Sequence, residues 1–204
     1  MQRSLIPGII AMAAVVVASN ILVQFLLLDG LLTWGAFTYP FAFLVTDLTN
    51  RFLGREAARK VVFAGFAVGV VCSLIASQIV GEYGPLTTVR IAVGSGIAFL
   101  TAQLIDVAIF DRLRDGRWWR APLASTLVGS AVDTALFFTI AFSAALVWMD
   151  PAQPNAWARE PAPLLLVGPE APLWITLALA DWGVKLAMAL VALAPFGVLT
   201  RRAV

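Results

Sequence analysis

Six long apolar stretches constrain the fold of this chain more than any other feature of its sequence. A helix that crosses a lipid bilayer needs about 20 predominantly apolar residues. We predict spans over residues 5–28, 35–53, 60–80, 87–111, 121–148 and 172–199. Soluble domains are about half apolar and about a quarter charged, whereas this chain is 61% hydrophobic and 13% charged. The sequence therefore predicts an all-α integral membrane protein, in which residues 1–204 form a single domain, a bundle of six transmembrane helices.

The positively charged residues are distributed unevenly between the two ends of these predicted spans. One end carries nearly all of them: Arg3, Arg51, Arg55, Arg59, Lys60, Arg112, Arg114, Arg117, Arg120, Arg201 and Arg202. The loops at the other end contain only Arg90 and Arg159. Because Lys and Arg are retained on the cytoplasmic side of a membrane, we expect both termini to be cytoplasmic.

The longest predicted loop, residues 149–171, joins spans five and six and is called here the proline-rich segment. The stretch DPAQPNAWAREPAPLLLVGPEAP at residues 150–172 contains six prolines, and proline cannot donate the backbone hydrogen bonds of a helix or a sheet. We therefore expect an extended loop outside the cytoplasm. Because Leu164–Val167 are apolar, an alternative is that this part of the loop re-enters the membrane.

Span three contains Gly65 and Gly69, a GxxxG pair of the kind that lets two membrane helices approach closely. The pattern alone does not separate packing within the bundle from packing against a second copy of the chain. A homodimer is therefore one of two interpretations of this pair.

The chain contains no histidine and a single cysteine, Cys72. Without histidine it lacks the general base of Ser-His and Cys-His catalysis and the imidazole ligands of metal sites. It also lacks the GxxxxGK[ST] motif that binds the phosphates of ATP. We therefore predict that the chain is not an enzyme, has no catalytic residues, holds no metal or cofactor, and cannot hydrolyse ATP by itself.

A set of polar side chains lies within the predicted spans, where contact with lipid would be costly. We expect ten of them to bind a small molecule: Asn20, Gln24, Asp47, Asn50, Gln103, Asp106, Ser130, Asp133, Asp181 and Lys185. A charged side chain at the centre of a bilayer costs roughly 2.5–3.5 kcal/mol, so the whole set must face inward. Acids in four different spans favour a partly hydrated cavity for a solute over separate structural contacts.

Local ion pairs give an alternative, purely structural interpretation. Asp47 and Arg51 are four residues apart, as are Asp181 and Lys185, so each pair can form along one face of a helix. A membrane scaffold or assembly partner would have every acid paired in this way and no cavity. Under either interpretation we expect Arg51 to neutralise part of the charge of Asp47.

Three stretches of the sequence resemble the bacterial queuosine precursor transporters, a branch of the vitamin uptake transporters. They are YPFAFLVTDLTNRFLGREAARK at residues 39–60, AQLIDVAIFDRLR at 102–114 and WWRAPLASTLVGSAVDTALFFTIAF at 118–142, and they contain Asp47, Asp106 and Asp133. The resemblance implies six helices in the bacterial inner membrane. It also implies import of 7-deazaguanines such as 7-cyano-7-deazaguanine, the precursors of the modified tRNA base queuosine.

A 7-deazaguanine would suit the polar side chains of the spans. Its guanine-like edge offers adjacent N–H donors to a carboxylate, its carbonyl oxygen accepts from an amide or ammonium group, and its flat ring stacks on aromatic side chains. The expected partners are this small molecule and the lipid bilayer, with no nucleic acid. The same residue types would also suit another vitamin or nucleobase, imported with or without an energy-coupling partner, and this alternative stays open.

Overall fold

The computed structural model describes residues 4–81 and 84–201, and these residues are mostly helical. The described helices are α1 (Ile6–Leu22), α2 (Trp34–Thr38), α3 (Phe41–Leu53), α4 (Arg55–Ala76), α5 (Val89–Leu113), α6 (Arg120–Phe142) and α7 (Leu173–Arg201). The helices α4 to α7 are long and apolar enough to cross a membrane, and α1 is a shorter apolar helix. The prediction of a helical, multi-pass membrane protein is therefore confirmed.

Among the described residues, three two-stranded antiparallel hairpins join the helices. They consist of β1 (Leu26–Leu27) with β2 (Leu32–Thr33), β3 (Val80–Gly81) with β4 (Gly84–Pro85), and β5 (Pro161–Pro163) with β6 (Glu170–Pro172). The first hairpin follows α1, which ends at Leu22 rather than near residue 28 as predicted. Gly30 turns this hairpin with a φ of 89°, a conformation that glycine adopts without steric strain.

The fifth predicted span is also shorter than expected. The helix α6 ends at Phe142, because Ser143 turns the backbone out of the helix with φ −58° and ψ 141°. A 3-10 segment, Ala144–Met149, follows it. Arg3 and Arg202 lie outside the described residues, so their expected cytoplasmic position stays a prediction.

The second predicted span is interrupted at Pro40, between α2 and α3. Proline has no backbone N–H, so the carbonyl of Ala36 loses its helical hydrogen-bond partner at this point. The chain tightens into a 3-10 turn, in which the N–H groups of Ala42 and Phe43 donate to the carbonyls of Tyr39 and Pro40 at 2.9 and 3.1 Å. The interruption therefore sets Tyr39 in a turn between two helices.

The bundle packs closely between α1 and α4, and α5 with α6 forms the most extensive of the described helix pairs. The GxxxG pair of α4 takes part in the first of these contacts. A Cβ atom on Gly65 would stand 2.6 Å from Cγ of Met12, and one on Gly69 would stand 3.7 Å from Cγ1 of Val16, both in α1. Because the pair faces a helix of the same chain, it no longer argues for a homodimer.

The proline-rich segment is folded, which corrects the expectation of an extended loop. Besides β5 and β6 it contains 3-10 turns at Ala156–Arg159 and Leu164–Leu166. Ala158 is fully buried, and the ring of Trp157 lies 6.0 Å from that of Phe142 in α6. The backbone N–H of Leu165 donates to Oγ1 of Thr176 in α7 at 3.2 Å. The segment thus covers the ends of α6 and α7 without crossing back through the bundle.

Arg90 lies in the first turn of α5 rather than in a loop, and its side chain is buried. Its Nε donates to the carbonyl of Ile140 at 2.6 Å, and its Nη2 donates to the carbonyl of Ser143. Both carbonyls stand at the end of α6, where the partial negative charge of the helix favours a cation. Arg90 therefore fixes the start of α5 to the end of α6.

Candidate functional site

Two groups of polar side chains lie between the helices, and they include seven of the ten residues predicted to face inward. The lysine cluster consists of Tyr39, Asp133, Thr134, Asp181 and Lys185. The carboxyl–amide cluster consists of Thr46, Asp47, Asn50, Gln103, Asp106, Ser125 and Thr126. All of these side chains are buried except those of Tyr39 and Asp181, which are partly buried. The bundle therefore shields them from lipid.

Lys185 is the cation at the centre of the lysine cluster. Its Nζ lies 2.7 Å from Oδ2 of Asp133 in α6 and 2.6 Å from Oδ2 of Asp181, one turn earlier in α7. Nζ also donates to Oγ1 of Thr134 at 2.9 Å, and Thr134 donates to Oδ2 of Asp181 at 2.9 Å. The predicted pairing of Asp181 with Lys185 is therefore present, and Asp133 joins it across the contact between α6 and α7.

Tyr39 connects the interruption of the second span to this cluster. Its hydroxyl donates to Oδ1 of Asp133 at 2.8 Å, and Nζ of Lys185 lies 5.3 Å from the centre of its ring. The ring also makes edge contacts with Phe43 and Phe99, at centroid distances of 6.4 and 6.2 Å. The lysine cluster is thus a hydrogen-bonded network that ties the turn between α2 and α3 to α6 and α7.

The carboxyl–amide cluster begins where one face of α3 packs against one face of α5. Thr46 Oγ1 donates to Oε1 of Gln103 at 2.6 Å, and Asn50 Nδ2 donates to the carbonyl of Val107 at 3.0 Å. Thr46 and Asn50 are one turn apart in α3, as are Gln103 and Val107 in α5, so each pair lies on one side of its helix. The two amide side chains are therefore held in place by contacts across the α3–α5 interface.

Two carboxyl groups complete this cluster, Asp47 on α3 and Asp106 on α5. Ser125 Oγ and Thr126 Oγ1, both on α6, donate to the two oxygens of Asp47 at 3.2 and 3.5 Å. Asp106 has no exposed surface, and it lies close enough to Asp47 and Ser125 to interact with both. Among the described residues no Lys or Arg forms an ion pair with either carboxyl group, and no three Asp, Glu, His or Cys side chains are placed to hold a metal ion.

Four buried polar atoms of the cluster lack a hydrogen-bond partner of good geometry in the described part of the chain. They are Oδ1 of Asn50, Nε2 of Gln103 and both carboxyl oxygens of Asp106. An unpaired buried polar group costs about 1–3 kcal/mol, so folded proteins leave few of them. The set combines amide and carboxyl groups that can donate and accept. A molecule that presents N–H donors beside a carbonyl oxygen would pair these atoms.

Gly129 in α6 allows three helices to meet beside the carboxyl–amide cluster. A Cβ atom at this position would stand 2.8 Å from Cε1 of Phe43, 3.3 Å from the carbonyl oxygen of Ala102 and 3.4 Å from Cβ of Asp106. A larger residue would therefore press on α3 and α5 at once. The absence of a side chain here lets the ring of Phe43 pack next to the buried carboxyl group.

The space next to the cluster is small in this structure. A cavity of about 10 Å³ lies between α3, α6 and α7, and its lining includes Asp47, Thr126, Phe43 and Phe196. Such a volume holds about one water molecule, whereas small-molecule sites usually measure about 300–1,000 Å³. The described residues therefore leave no solute-sized cavity beside the cluster, in contrast to the expectation from the sequence.

The predicted pairing of Asp47 with Arg51 is wrong. Arg51 stands near the end of α3, where its Nη1 donates to the carbonyl of Arg114 at 2.8 Å. In return, Nη2 of Arg114 donates to the carbonyl of Arg51 at 3.5 Å. A long Arg side chain reaches toward the end of a helix, where its charged group stays solvated. Asp47 lies one turn deeper and accepts from Ser125 instead, so Arg51 does not neutralise it.

Three of the ten predicted residues form hydrogen bonds with partners outside both clusters. Asn20 and Ser130 donate to carbonyls about one turn earlier in their own helices, at 2.9 and 3.2 Å. Gln24 is exposed, and its Nε2 donates to the carbonyl of Leu86 at 3.4 Å. The spacing of Asn20 and Gln24 predicted a common inward face, but α1 ends between them at Leu22.

Tyr39, Thr46 and Ser125 contact the predicted residues but were not themselves predicted. Thr46 and Ser125 carry ordinary hydroxyl groups, which occur throughout the spans, so only the packing of the helices identifies them. For Tyr39 the sequence does hold a signal, because it precedes Pro40 within a predicted span. Interrupted membrane helices are frequent at the binding sites of transporters.

The comparisons with known proteins agree with the resemblance noted in the sequence. The family described as "Putative vitamin uptake transporter" matches residues 33–200. The chain is 37% identical over 199 residues to the queuosine precursor transporter of Escherichia coli (strain K12), covering 91% of this chain and 81% of that protein. It is 39% identical over 138 residues to a protein of Haemophilus influenzae named "Probable queuosine precursor transporter", covering 62% of this chain and 57% of that protein.

A protein of Bacillus subtilis (strain 168) with the same name is 31% identical over 129 residues, covering 54% of this chain and 56% of that protein. No solved structure matches the chain significantly. The range matched by the family contains both polar clusters. Its members are transporters, which confirms the prediction that the chain is not an enzyme. The chain belongs to the queuosine precursor transporters, a family of multi-pass membrane proteins within the vitamin uptake transporters.

Proposed function

We propose that this protein imports queuosine precursors, 7-cyano-7-deazaguanine and related 7-deazaguanines, across the bacterial inner membrane. The precursors would then serve the queuosine modification of tRNA. Support comes from relatives named as queuosine precursor transporters and from buried groups that suit a guanine-like base. The observation that carries the proposal is the set of unpaired buried atoms on Asn50, Gln103 and Asp106.

We further propose one domain over residues 1–204, with six spans and both termini in the cytoplasm. The spans are α1, the interrupted pair of α2 and α3, and α4 to α7. Contact between Arg51 and Arg114 supports this arrangement, since it brings the charged ends of α3 and α5 to one end of the bundle. Asn155 donates to Oγ1 of Thr88 at 3.5 Å, so the proline-rich segment meets the start of α5 at the opposite end.

The base is recognised by its pattern of donors and acceptors. The two oxygens of Asp106 accept from the ring N–H and the exocyclic amine of the base, and Nε2 of Gln103 donates to its carbonyl oxygen. Asn50 Oδ1 stands in the same cluster as a further acceptor. Each of these atoms is buried and lacks a hydrogen-bond partner of good geometry in the described residues, so the base would pair several unsatisfied polar groups at once.

Aromatic side chains close to the cluster supply a stacking surface for the base. Phe43 packs beside Asp106 at the Gly129 contact, and Phe110 lies one turn beyond Asp106 in α5 with its ring 6.0 Å from that of Phe196. Stacking of a base on an aromatic ring is worth about 1–3 kcal/mol. One of these rings must move to admit the base, because the present cavity holds about one water molecule.

The lysine cluster completes the proposed site. Asp133, Asp181 and Lys185 join α6 to α7, and Tyr39 joins both to the turn at Pro40. A network with this reach can hold the helices together while the base is enclosed. We therefore propose that the lysine cluster holds the helices together around the bound base and does not itself contact the base.

Competition for uptake tests the proposed recognition. Cells or vesicles that contain the protein take up labelled 7-cyano-7-deazaguanine in the presence of unlabelled analogues. An analogue without the exocyclic amine leaves one oxygen of Asp106 unpaired, so it should compete at least about tenfold more weakly than the parent base. An analogue with an aminomethyl group in place of the nitrile changes another edge and should compete better than the first. Equal competition by the analogue without the amine would contradict the proposal.

A further inference from the structure

An open groove lies on the outside of the bundle, between the end of α5 and the first turns of α6, and is called here the α5–α6 groove. Its volume is about 290 Å³, and its lining consists of Leu113, Trp119, Arg120, Leu123, Ala124 and Leu127. Trp119 and Leu127 are 36% and 37% exposed. Because α5 and α6 are both long and apolar enough to cross a membrane, the apolar walls of the groove face lipid.

The part of the lining that α6 supplies follows one side of the helix. Arg120, Ala124 and Leu127 are spaced i, i+4 and i+7, which places them on a common face. At a rise of 1.5 Å per residue, Leu127 lies about 10 Å further along the helix axis than Arg120. The groove therefore has a cation at the end of the helix and apolar walls that continue toward the middle of the membrane.

Arg120 is an exposed cation that no acid of the protein balances. Its Cζ lies 6.0 Å from the centre of the Trp119 ring, and in the described part of the chain its side chain forms no ion pair. Arg114, in contrast, pairs with Asp111 at 3.3 Å. Asp115, in the loop between α5 and α6, is exposed and forms no ion pair with Arg120. The guanidinium group of Arg120 is therefore available to a negatively charged group outside the protein.

The turn before α6 holds a second arginine close to the first. The backbone N–H of Arg120 donates to the carbonyl of Arg117 at 2.9 Å, and Arg117 is exposed. Trp118, between them, packs against α7, where a Cβ atom on Gly197 would stand 2.9 Å from its Cζ3. Cζ of Arg201 lies 5.3 Å from the centre of the same ring. These contacts fix the turn to α7 and hold two cations at the polar end of the groove.

The composition of the lining distinguishes between the molecules that could fill the groove. A 7-deazaguanine needs acceptors for its N–H donors, and the lining contains no acid or amide side chain. A second copy of the chain, in a two-fold dimer, would present the same surface, so its arginines would approach those of the first copy. An anionic phospholipid has a negative headgroup that suits the arginines and an acyl chain that suits the apolar walls.

We propose that the α5–α6 groove is a binding site for an anionic phospholipid. The phosphodiester of the headgroup accepts hydrogen bonds from the guanidinium group of Arg120, whose fork of donors matches phosphate oxygens. Arg117 adds a second positive charge, and basic residues at the membrane surface attract anionic lipids. Trp119 lies at the level of the headgroups, where tryptophan is enriched, and an acyl chain lies along Ala124 and Leu127. The inference does not depend on which solute the protein transports.

Native mass spectrometry of the full-length protein, released from detergent micelles, tests the selectivity of the site. The probes are phosphatidylglycerol and phosphatidylcholine with identical acyl chains. We expect phosphatidylglycerol to bind at least about fivefold more tightly, because its headgroup lacks the choline cation that the arginines would repel. Equal affinity for the two lipids would overturn the proposal.

The variant Arg120→Gln tests the headgroup contact. It removes the cation of the groove, so the affinity for phosphatidylglycerol should fall by about fivefold or more. Arg112→Gln is the matched control, since Arg112 is exposed near the end of α5 and does not line the groove. This control changes the net charge equally but should bind the lipid like the wild type. An equal fall in both variants would indicate attraction to surface charge alone and would overturn the site.

The variant Ala124→Phe tests the acyl-chain contact, because a phenyl ring fills the groove while both arginines stay in place. The affinity for phosphatidylglycerol should again fall by about fivefold or more. Val128→Phe adds the same ring on the outer face of α6 but outside the lining, and it should bind like the wild type. The same spectra report the oligomeric state. A wild-type dimer that Ala124→Phe converts to a monomer would assign the groove to a second copy and overturn the proposal.

A further measurement uses the wild-type protein and does not depend on the folding of any variant. The protein in liposomes is irradiated with a phosphatidylglycerol that carries a diazirine in its acyl chain, and the cross-linked residues are identified by mass spectrometry. We expect cross-links to concentrate at Leu113 and residues 119–127, and excess unlabelled phosphatidylglycerol, but not phosphatidylcholine, to suppress them. Cross-links spread evenly over the outer faces of the helices, or concentrated elsewhere, would overturn the inference.

Discussion

At the scale of single residues, the buried polar atoms separate into a paired set and an unpaired set. Lys185 and its two aspartates satisfy one another at 2.6–2.7 Å. Asp106 lies buried, and neither of its carboxyl oxygens has a hydrogen-bond partner of good geometry in the described part of the chain. The same residue type is therefore paired in one cluster, whereas in the other it has the unpaired oxygens on which the proposed base recognition depends.

The variant Asp106→Asn should lower uptake by about ten- to a hundredfold while the protein reaches the membrane at near-normal levels. Asparagine keeps the size of the side chain but turns an N–H donor toward the donors of the base, a mismatch worth about 1–3 kcal/mol or about ten- to a hundredfold in uptake. Uptake per amount of membrane protein is the measurement, and Asp111→Asn is the control. Absence of the variant from the membrane would favour a structural role for Asp106.

The variant Lys185→Met should destabilise the protein rather than change its selectivity. It leaves Asp133 and Asp181 without their cation, and removing one partner of a buried ion pair typically costs about 3–5 kcal/mol. Thermal stability in detergent should therefore fall well below that of the wild type. Adding Asp133→Asn should recover part of the loss, because one uncompensated acid is removed. A single variant as stable as the wild type would contradict the ion-pair account.

At the scale of the helices, close packing depends on two positions where a side chain is missing or a hydrogen bond is lost. Gly129 lets α6 approach α3 and α5, and Pro40 divides the second span into α2 and α3. The first brings Phe43 against Asp106, and the second sets Tyr39 against Asp133. Both clusters thus owe their geometry to local backbone features.

The variant Gly129→Ala should lower both stability and uptake. The added methyl group would stand 2.8 Å from Phe43, and overpacking of this kind costs about 1–3 kcal/mol. Gly183→Ala in α7 is the matched control, since a Cβ there has nothing within 4 Å and alanine favours a helix over glycine by roughly 0.5–1 kcal/mol. Unfolding temperature and uptake are measured for both. Equal behaviour of the two variants would contradict the close contact at Gly129.

Much of this organisation could be predicted from the sequence, because hydropathy and charge act along the chain. The order of the helices and the pairing of Asp181 with Lys185 required only spacing within one segment. Contacts between segments were harder to predict, since the register between helices decides them. For this reason Arg51 was assigned to Asp47, while its actual partner is the carbonyl of Arg114. Ser125 was overlooked for the same reason.

Helix ends were the other source of error. Asn20 and Gln24 would share a face only if α1 continued past Leu22, and a hairpin ends it there. In the proline-rich segment, the prolines predicted an extended loop, whereas the described residues form 3-10 turns and a hairpin. The prolines gave no indication of the β5–β6 hairpin, in which Leu164 and Pro169 close the turn by a backbone hydrogen bond of 2.9 Å. Such turns depend on contacts with neighbouring helices that hydropathy does not report.

At the scale of the whole molecule, the proposed topology puts the Arg-rich ends of α3 and α5 in the cytoplasm. Labelling of introduced cysteines tests it, after the native Cys72 is replaced by alanine. A cysteine at the exposed Gly116 should react only with a reagent that reaches the cytoplasm. One at the exposed Ala152, in the proline-rich segment, should react with an impermeant reagent added outside. The opposite pattern would overturn the six-span arrangement.

The central claim is that this protein brings queuosine precursors into the cell. The most direct measurement is the queuosine content of tRNA in bacteria that can neither make the precursors nor import them by a protein of their own. With this protein expressed and 7-cyano-7-deazaguanine supplied at a limiting concentration, we expect queuosine to appear in the tRNA. With the Asp106→Asn variant at equal membrane level, we expect the queuosine content of the tRNA to be far lower than with the wild-type protein. Unmodified tRNA in cells that contain the wild-type protein in their membrane would contradict the account.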